Sequence, residues 1–137
     1  MRQWPFLLLL MLPSFAMGQE LGVNNQQYVN KPPGDPSIVV QHTDPGSHDN
    51  LQAVTTRSPG EVRNVVVQST GGGGNVQTAV QNGGSGNVVV QTQHGSGNQQ
   101  TVIQTGDGNR AVQSQSGHNR SGTLNQNGNE TDVQRQD

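Results

Sequence analysis

The sequence contains no cysteine, and this absence removes several kinds of chemistry at once. There are no thiols for disulfides, for zinc or iron–sulfur ligation, for a cysteine nucleophile or for lipid attachment. Apolar residues are also scarce, because hydrophobic side chains make up 28% of the chain and aromatic ones 3%. An ordinary soluble domain is about 45–50% apolar, so this chain cannot bury a large conventional core. It is either disordered or ordered by hydrogen bonds of the backbone and of polar side chains.

Charge of either sign is sparse as well. Seven basic and nine acidic residues give a formal net charge of −2. A nucleic-acid-binding protein presents a basic patch or stripe, and the sequence has none, so we predict no nucleic-acid partner. The low net charge favours close self-association, because identical chains then repel one another only weakly.

The first 18 residues have the organisation of a secretory signal peptide. Arg2 provides a positive charge, residues 6–12 form an apolar run, and Ala16-Met17-Gly18 provide the small residues that precede a cleavage site. The run is far shorter than the roughly 20 apolar residues that span a bilayer, which argues against a retained membrane anchor. We therefore predict cleavage between Gly18 and Gln19, secretion of the mature chain, and no membrane-spanning segment after cleavage.

Residues 19–60 and 61–137 differ in composition. The first segment has no period, and its proline and glycine pairs interrupt both helices and sheet ladders. We predict that it is a flexible, disordered leader and the place where export or anchoring partners bind. Proline is absent from residue 61 onward, so an unbroken β-structure can form there. The interrupting pairs of the leader are Pro32-Pro33, Asp35-Pro36, Asp44-Pro45-Gly46 and Ser58-Pro59-Gly60.

A repeat runs through residues 61–137. In four successive units, spaced 11 or 12 residues apart, an asparagine is followed six positions later by a glutamine. Glycines between the units are predicted to occupy turns that need a positive φ angle. The asparagine/glutamine pairs are Asn75/Gln81, Asn87/Gln93, Asn98/Gln104 and Asn109/Gln115, and the turn glycines are Gly74, Gly86, Gly95, Gly97, Gly106 and Gly108. In the degenerate flanking units Thr70 replaces the glutamine after Asn64, and Asn119 and Asn129 take the place of the repeat asparagine.

A unit of this length suits one strand of about six residues and a tight return, so two units would form one rung of about 22 residues. The asparagine and the residues two, four and six positions beyond it point to the same side of a strand. We place this side inward, where rungs about 4.7–4.8 Å apart let each amide bond to the same residue above and below. The sequence thus predicts an all-β fold, a short β-solenoid of roughly three strand-turn-strand rungs built from ~11-residue half-repeats.

The pattern Gln-x-Gly-x-Gly-Asn-x5-Gln, present from Gln93 to Gln104 and again from Gln104 to Gln115, resembles the repeat of the curlin family. The resemblance covers residues 64–134. It implies a subunit of the curli amyloid fibres of Gram-negative bacteria, which serve cell adhesion and biofilm formation. It also implies an outer-membrane secretion channel, export chaperones, further copies of this chain and another curlin-type subunit as partners. A minor nucleator or a curlin-like holdfast adhesin is the alternative within the same resemblance.

Enzymatic and metal-binding functions are not indicated. The acidic residues are scattered and form no catalytic pair or triad, so we predict a non-enzyme without cofactor or metal. A loop with His42, Asp44, His48 and Asp49 lacks the spacing of a metal site. Two further functions stay open, a chaperone of fibre assembly and a monomeric solenoid that binds ice or glycans. The latter needs aligned threonines, whereas Thr78, Thr92, Thr101 and Thr105 are interpreted as occupying different positions in their units.

Overall fold

The computed structural model describes residues 24–58 and 63–137, so the predicted signal peptide and its cleavage site between Gly18 and Gln19 lie outside the described residues. The described residues form ten β-strands and no helix, which confirms the predicted all-β fold. The strands are β1 (Gln26–Asn30), β2 (Ile38–Thr43), β3 (Leu51–Arg57), β4 (Val65–Gly73), β5 (Val76–Asn82), β6 (Val88–Ser96), β7 (Gln99–Thr105), β8 (Arg110–His118), β9 (Ser121–Asn127) and β10 (Thr131–Gln136).

The strands form two parallel five-stranded sheets. Sheet A has the order β1-β3-β5-β7-β9, and sheet B has the order β2-β4-β6-β8-β10. The chain therefore alternates between the sheets, and each pair of consecutive strands makes one rung of a β-solenoid. In sheet B, equivalent residues of neighbouring strands are 27 positions apart between β2 and β4 and 21 positions apart between β8 and β10. The solenoid has five rungs rather than the predicted three, because the stack begins well before residue 61.

Side chains alternate between interior and surface along the inner strands, as the period of two requires. In β5 the buried residues are Gln77, Ala79 and Gln81, and the residues between them face outward. The repeat asparagines are buried too, at 0–1% exposure for Asn75, Asn87, Asn98 and Asn109. The inward face is therefore the predicted one. It carries the repeat frame, which is the repeat asparagine and the residues two, four and six positions beyond it.

The interior is layered, because the two sheets place glutamine at different positions. Sheet A has glutamine two positions after asparagine and an apolar residue at four, as in Gln77 and Ala79, whereas sheet B reverses them, as in Val89 and Gln91. Hydrogen bonds from inward glutamines to the facing strand show that apolar residues face apolar residues and glutamines face glutamines. The apolar layer is a narrow stripe of Val54, Val66, Ala79, Val89, Val102 and Ala111, with Val39 and Leu124 packed against it.

The structure differs from the predicted flexible leader over 19–60, since residues 24–58 form β1, β2 and β3 in register with the later rungs. The described prolines of this segment lie between strands, so they remove no donor from a ladder. The repeat frame persists there with threonine in place of the last glutamine. It is formed by Asn50, Gln52, Val54 and Thr56 in sheet A and by Ser37, Val39, Gln41 and Thr43 in sheet B.

The two C-terminal units are shifted by one residue from their predicted register. Asn119 and Asn129 have φ angles of 54° and 50°, so they occupy the turn position that glycine holds elsewhere. Asparagine adopts this left-handed conformation more readily than most residues with a side chain. Arg120 and Glu130 then stand in the place of the repeat asparagine. With this register both units have their glutamine six positions later, as Gln126 and Gln136.

Candidate self-assembly surfaces

Four columns of glutamine run along the solenoid axis through its interior. In each column, Nε2 of one glutamine donates to Oε1 of the glutamine in the next rung towards the C terminus, at 2.7–3.4 Å. The columns are Gln27-Gln52-Gln77-Gln100 and Gln81-Gln104-Gln126 on sheet A, and Gln41-Gln68-Gln91-Gln113-Gln134 and Gln93-Gln115-Gln136 on sheet B. The predicted ladder glutamines occupy two of these columns, and the other two consist of glutamines that the asparagine-to-glutamine interval does not mark.

Through its second Nε2 hydrogen, a column glutamine donates across the interior to a backbone carbonyl oxygen of the other sheet. Gln104 donates to the carbonyl oxygen of Val88 at 3.0 Å, and Gln91 donates to that of Thr78 at 3.2 Å. Because the facing atom is an acceptor, the amide nitrogen must point across the interior, and this orientation fixes the direction of the whole column. Buried amides with both hydrogens bonded lose little on burial, so the columns take over much of the role of an apolar core.

The repeat asparagines bind backbone groups. Asn98 accepts at Oδ1 from the backbone N–H of Arg120 in the next rung, and its Nδ2 donates to the carbonyl oxygens of His94 and Gly117. The predicted asparagine-to-asparagine amide bond gives way to these contacts, because the asparagine side chain is one methylene shorter than glutamine and meets the backbone first. The same side-chain contacts to the turn and to the next rung's N–H recur at Asn75, Asn87 and Asn109. Each asparagine thus closes its own turn and ties it to the next rung.

The predicted turn glycines have positive φ angles, from 66° at Gly74 to 105° at Gly95, and Gly86, Gly97, Gly106 and Gly108 lie between these values. They differ in the space around them. A Cβ atom on Gly95 would overlap the carbonyl oxygen of Gly117, whereas a Cβ on Gly86 would meet nothing within 4 Å. The conformational requirement is therefore shared by all six, and the steric requirement is not.

In two of the glutamine columns, a threonine occupies the position one rung before the first glutamine. Thr56 precedes Gln81, and Thr70 precedes Gln93, in the strand register. The Oε1 atoms of both glutamines are buried and have no hydrogen-bond partner among the described residues. A threonine hydroxyl is too short to reach an amide oxygen one rung away, so each of these columns lacks one bond at its first glutamine.

Both ends of the solenoid expose strand edges. In the part of the chain that the structure describes, β1 and β2 are paired on one side only, and the same holds for β9 and β10. An unpaired edge presents backbone N–H and carbonyl groups that can template another strand. The two ends are therefore the first candidate surfaces for self-assembly.

The outer face of sheet B carries a second candidate surface. One valine per rung points outward in a continuous column, and its two terminal members, Val40 and Val133, are 49% and 73% exposed. A regular apolar column on a polar surface is typical of a contact site. The column consists of Val40, Val67, Val90, Val112 and Val133.

Asp35 supports the N-terminal end of the solenoid as a buried carboxylate that is 6% exposed. It accepts hydrogen bonds of 2.8–3.1 Å from the backbone N–H groups of Ser37 and Ser58 and from the hydroxyl of Thr56. Burial raises the pKa of Asp35, but the hydrogen bonds of these three residues outweigh burial and hold the pKa below its usual 3.8.

Acid is therefore expected to weaken the first rungs through Asp35. A carboxyl whose pKa is lower in the folded state stabilises the fold above the unfolded-state pKa near 3.8, and the contribution is lost as the pH falls through the folded-state value. Asp35→Asn should cost about 2 kcal/mol at pH 7 and progressively less in acid. Urea unfolding of both proteins from pH 7 to about pH 2.5 measures whether the difference in their free energies of unfolding shrinks in acid. A difference that does not change with pH would contradict the prediction.

Other kinds of site find no support in the described residues. No group of three or more histidine, aspartate or glutamate side chains there could hold a metal ion. His42 lies 3.1 Å from Asp44 on the surface, which gives an exposed pair rather than a metal cage. Within the two described ranges, no helix has the length and apolar character needed to cross a membrane.

No protein-family model matches the chain, and a search of the curated proteins finds no match.

Proposed function

We propose that this protein is a secreted, curlin-like structural subunit, without enzymatic activity, that polymerises into extracellular amyloid fibres for cell adhesion and biofilm formation. The observation that carries the proposal is the open solenoid, whose parallel rungs, among the residues that the structure describes, end in strands paired on one side only. In-register parallel strands with stacked identical amides are the arrangement of cross-β fibres. A further copy added at either end would extend both backbone ladders and would continue the glutamine column that runs from Gln41 to Gln134.

The composition supports a route through an unfolded exported state. With 28% hydrophobic residues, the unfolded chain exposes little apolar surface, and without cysteine it needs no oxidation to fold. In this proposal a signal peptide is removed between Gly18 and Gln19, and the chain reaches the surface of a Gram-negative bacterium through an outer-membrane channel with export chaperones. Its partners there are copies of itself and another curlin-type subunit, and neither a cofactor nor nucleic acid takes part.

Seeded polymerisation tests the proposal. Purified protein diluted from denaturant should pass from coil to β-structure after a lag, and sonicated fibres of the same protein should abolish that lag. Circular dichroism follows the conversion, and sedimentation measures the fibre fraction. Fragments of an unrelated amyloid serve as the control and should leave the lag unchanged. A chain that stays monomeric for days at high concentration would contradict the proposal.

A minor nucleator is distinguished by the same kinetics. Its fibres would shorten the lag of another curlin-type subunit at a low molar ratio, whereas a main fibre subunit would assemble by itself. An assembly chaperone would lengthen the lag of a partner and form no fibres. A holdfast adhesin would form fibres and, in addition, bind a surface in the fibrous state.

One observation favours a monomeric binding module as a second candidate. Thr78, Thr101 and Thr123 stand in register on the outer face of sheet A, one per rung. The interpretation that the threonines occupy different positions is therefore wrong for Thr78 and Thr101. The neighbouring outward column is mixed, with Val76, Gln99 and Ser121, so the threonines form one short row and not a flat array. A protein that binds ice or glycans while it sediments as a monomer would favour this candidate.

A further inference from the structure

The two ends of the solenoid are chemically different, because all glutamine columns point the same way. At the N-terminal end, Gln41 begins the column that spans all five rungs; it uses Nε2 within the column and turns Oε1 outward. At the C-terminal end, Gln134 uses Oε1 within its column and turns Nε2 outward. Donors thus meet acceptors only where the C-terminal end of one copy meets the N-terminal end of another. Two like ends would bring oxygen against oxygen or nitrogen against nitrogen.

The N-terminal end also carries a lysine in a glutamine column. Lys31 follows the last paired residue of β1. It occupies the position one rung before Thr56, at the start of the column that ends in Gln126. Its Nζ atom donates to the carbonyl oxygen of Ser37 at 2.7 Å. The two remaining ammonium hydrogens have no acceptor in the described part of the chain, so the lysine can bind a further group at this end.

The C-terminal end carries an aspartate in the apolar stripe. Asp132 pairs in register with Ala111, which follows the buried Val89 in the same column. The aspartate is exposed, and its Oδ2 atom accepts from Nε2 of Gln126 at 3.2 Å. A second copy stacked on this end would bury the carboxylate beside Val39, which is strongly unfavourable unless a cation pairs with it.

We infer that copies of this chain join head to tail, with β9 and β10 of one copy paired to β1 and β2 of the next, and with Lys31 of the second copy bound to Asp132 of the first. Continuing the register of sheet A places this lysine directly after Gln126, the residue that Asp132 already contacts. The lysine therefore neutralises the carboxylate that the joint buries. The inference rests on the proposed function, because it specifies how the fibre subunit meets its neighbour.

The surrounding charges also favour the head-to-tail orientation of neighbouring copies. Glu130 stands in the repeat-asparagine position at the same corner of the C-terminal end, so this corner is acidic. Asp35 at the N-terminal end is already bonded within its own copy and leaves the lysine as the charge that faces the joint. Two N-terminal ends would offer the lysine no free carboxylate, and two C-terminal ends would bury their carboxylates without a cation, which is costly in a desolvated contact. Another curlin-type subunit could cap the C-terminal end only if it offered a cation at this position.

A charge-swap experiment tests the joint. Lys31→Asp places two carboxylates in each joint between identical copies, and Asp132→Lys places two ammonium groups there. An equimolar mixture of the two variants restores an opposite-charge pair in every joint of an alternating fibre, and so does the double variant in its homopolymer. Arg110→Asp is the matched control, because it makes the same charge change on an outward position of the interior strand β8. Seeded growth is measured for each protein and for the mixture, with circular dichroism to verify folding.

Each single variant is expected to grow at least about tenfold more slowly than wild type, since like charges meet in a desolvated contact. The mixture, the double variant and Arg110→Asp should grow within about twofold of wild type. Because the mixture contains only the two slow variants, its recovery cannot come from an effect on folding. Single variants that grow at the wild-type rate, or a mixture as slow as its components, would overturn the inference and leave the fibre function standing. A wild-type protein that forms no fibres would overturn both.

Discussion

Gly95→Ala should destabilise the folded chain by about 3–5 kcal/mol, whereas Gly86→Ala should cost about 1–2 kcal/mol. Both glycines have positive φ angles, 105° and 72°, so alanine is strained at either position. Only at Gly95 would the new Cβ also overlap a backbone atom, the carbonyl oxygen of Gly117. That oxygen accepts from Nδ2 of Asn98 at 3.0 Å, so it cannot move away without breaking the contact between two rungs.

Urea unfolding followed by circular dichroism measures this difference on freshly diluted, unpolymerised protein. Each substitution adds one methyl group at a glycine with a positive φ angle, so a larger loss at Gly95 measures the overlap with Gly117 in addition to the backbone strain. If the two variants unfold at the same urea concentration, the turn carbonyls must be free to shift, and the rungs are then less tightly registered than the structure indicates.

The strand spacing and the inward face could be predicted from the sequence, because the interval from asparagine to glutamine fixes both. Asn75 and Gln81 mark the ends of one strand, and the period of two then assigns every residue between them to one side. The two further glutamine columns do not follow from this interval, because their glutamines stand at different positions in alternate units. Gln77 and Gln91 stand at different positions after asparagine, and only their alternation between two kinds of unit reveals that each continues a column in its own sheet.

The first rungs could not be recognised by the glycine signature, because other residues replace glycine at the turn position directly before the repeat asparagine. Asn24 and Asp49 have φ angles of 60° and 56° at the position that glycine holds in the later units. A search for Gly-Asn therefore begins too late in the chain. The prolines of residues 19–60 also favoured the wrong prediction of a flexible leader. A proline disrupts a strand only when it lies within it, and composition does not show whether it lies in a strand or between strands.

The interior explains how so polar a chain can hold a defined fold. A buried amide is unfavourable unless each of its polar atoms is bonded, and a glutamine satisfies that condition here only with a glutamine on either side and a carbonyl opposite. Gln91 has all three contacts, whereas Gln134, in the C-terminal rung of the described chain, has no glutamine beyond it there. Each added rung thus completes the hydrogen bonds of the one before it, and this is the physical basis for growth by stacking.

Gln104→Ala is accordingly expected to slow fibre formation more than Gln93→Ala, the equivalent substitution in the preceding strand. Gln104 receives a bond from Gln81 and donates to Gln126 and to the carbonyl oxygen of Val88. Alanine leaves these three groups unpaired around a cavity, at a cost of about 2–4 kcal/mol. Since about 1.4 kcal/mol corresponds to a factor of ten in rate, the unseeded lag should lengthen at least about tenfold.

Gln93→Ala should be milder by about 1 kcal/mol, because Thr70 stands before Gln93 and donates it no bond that could be lost. Thr92→Ala and Thr105→Ala change outward positions beside the two glutamines and serve as matched controls with little expected effect. Lag times at one protein concentration, with and without wild-type seeds, give the order Gln104, Gln93, threonines. Equal effects of the glutamine and threonine substitutions would mean that the glutamine columns do not carry the stacking energy. Equal effects of the two glutamines would mean that the cavity outweighs the number of amide bonds lost.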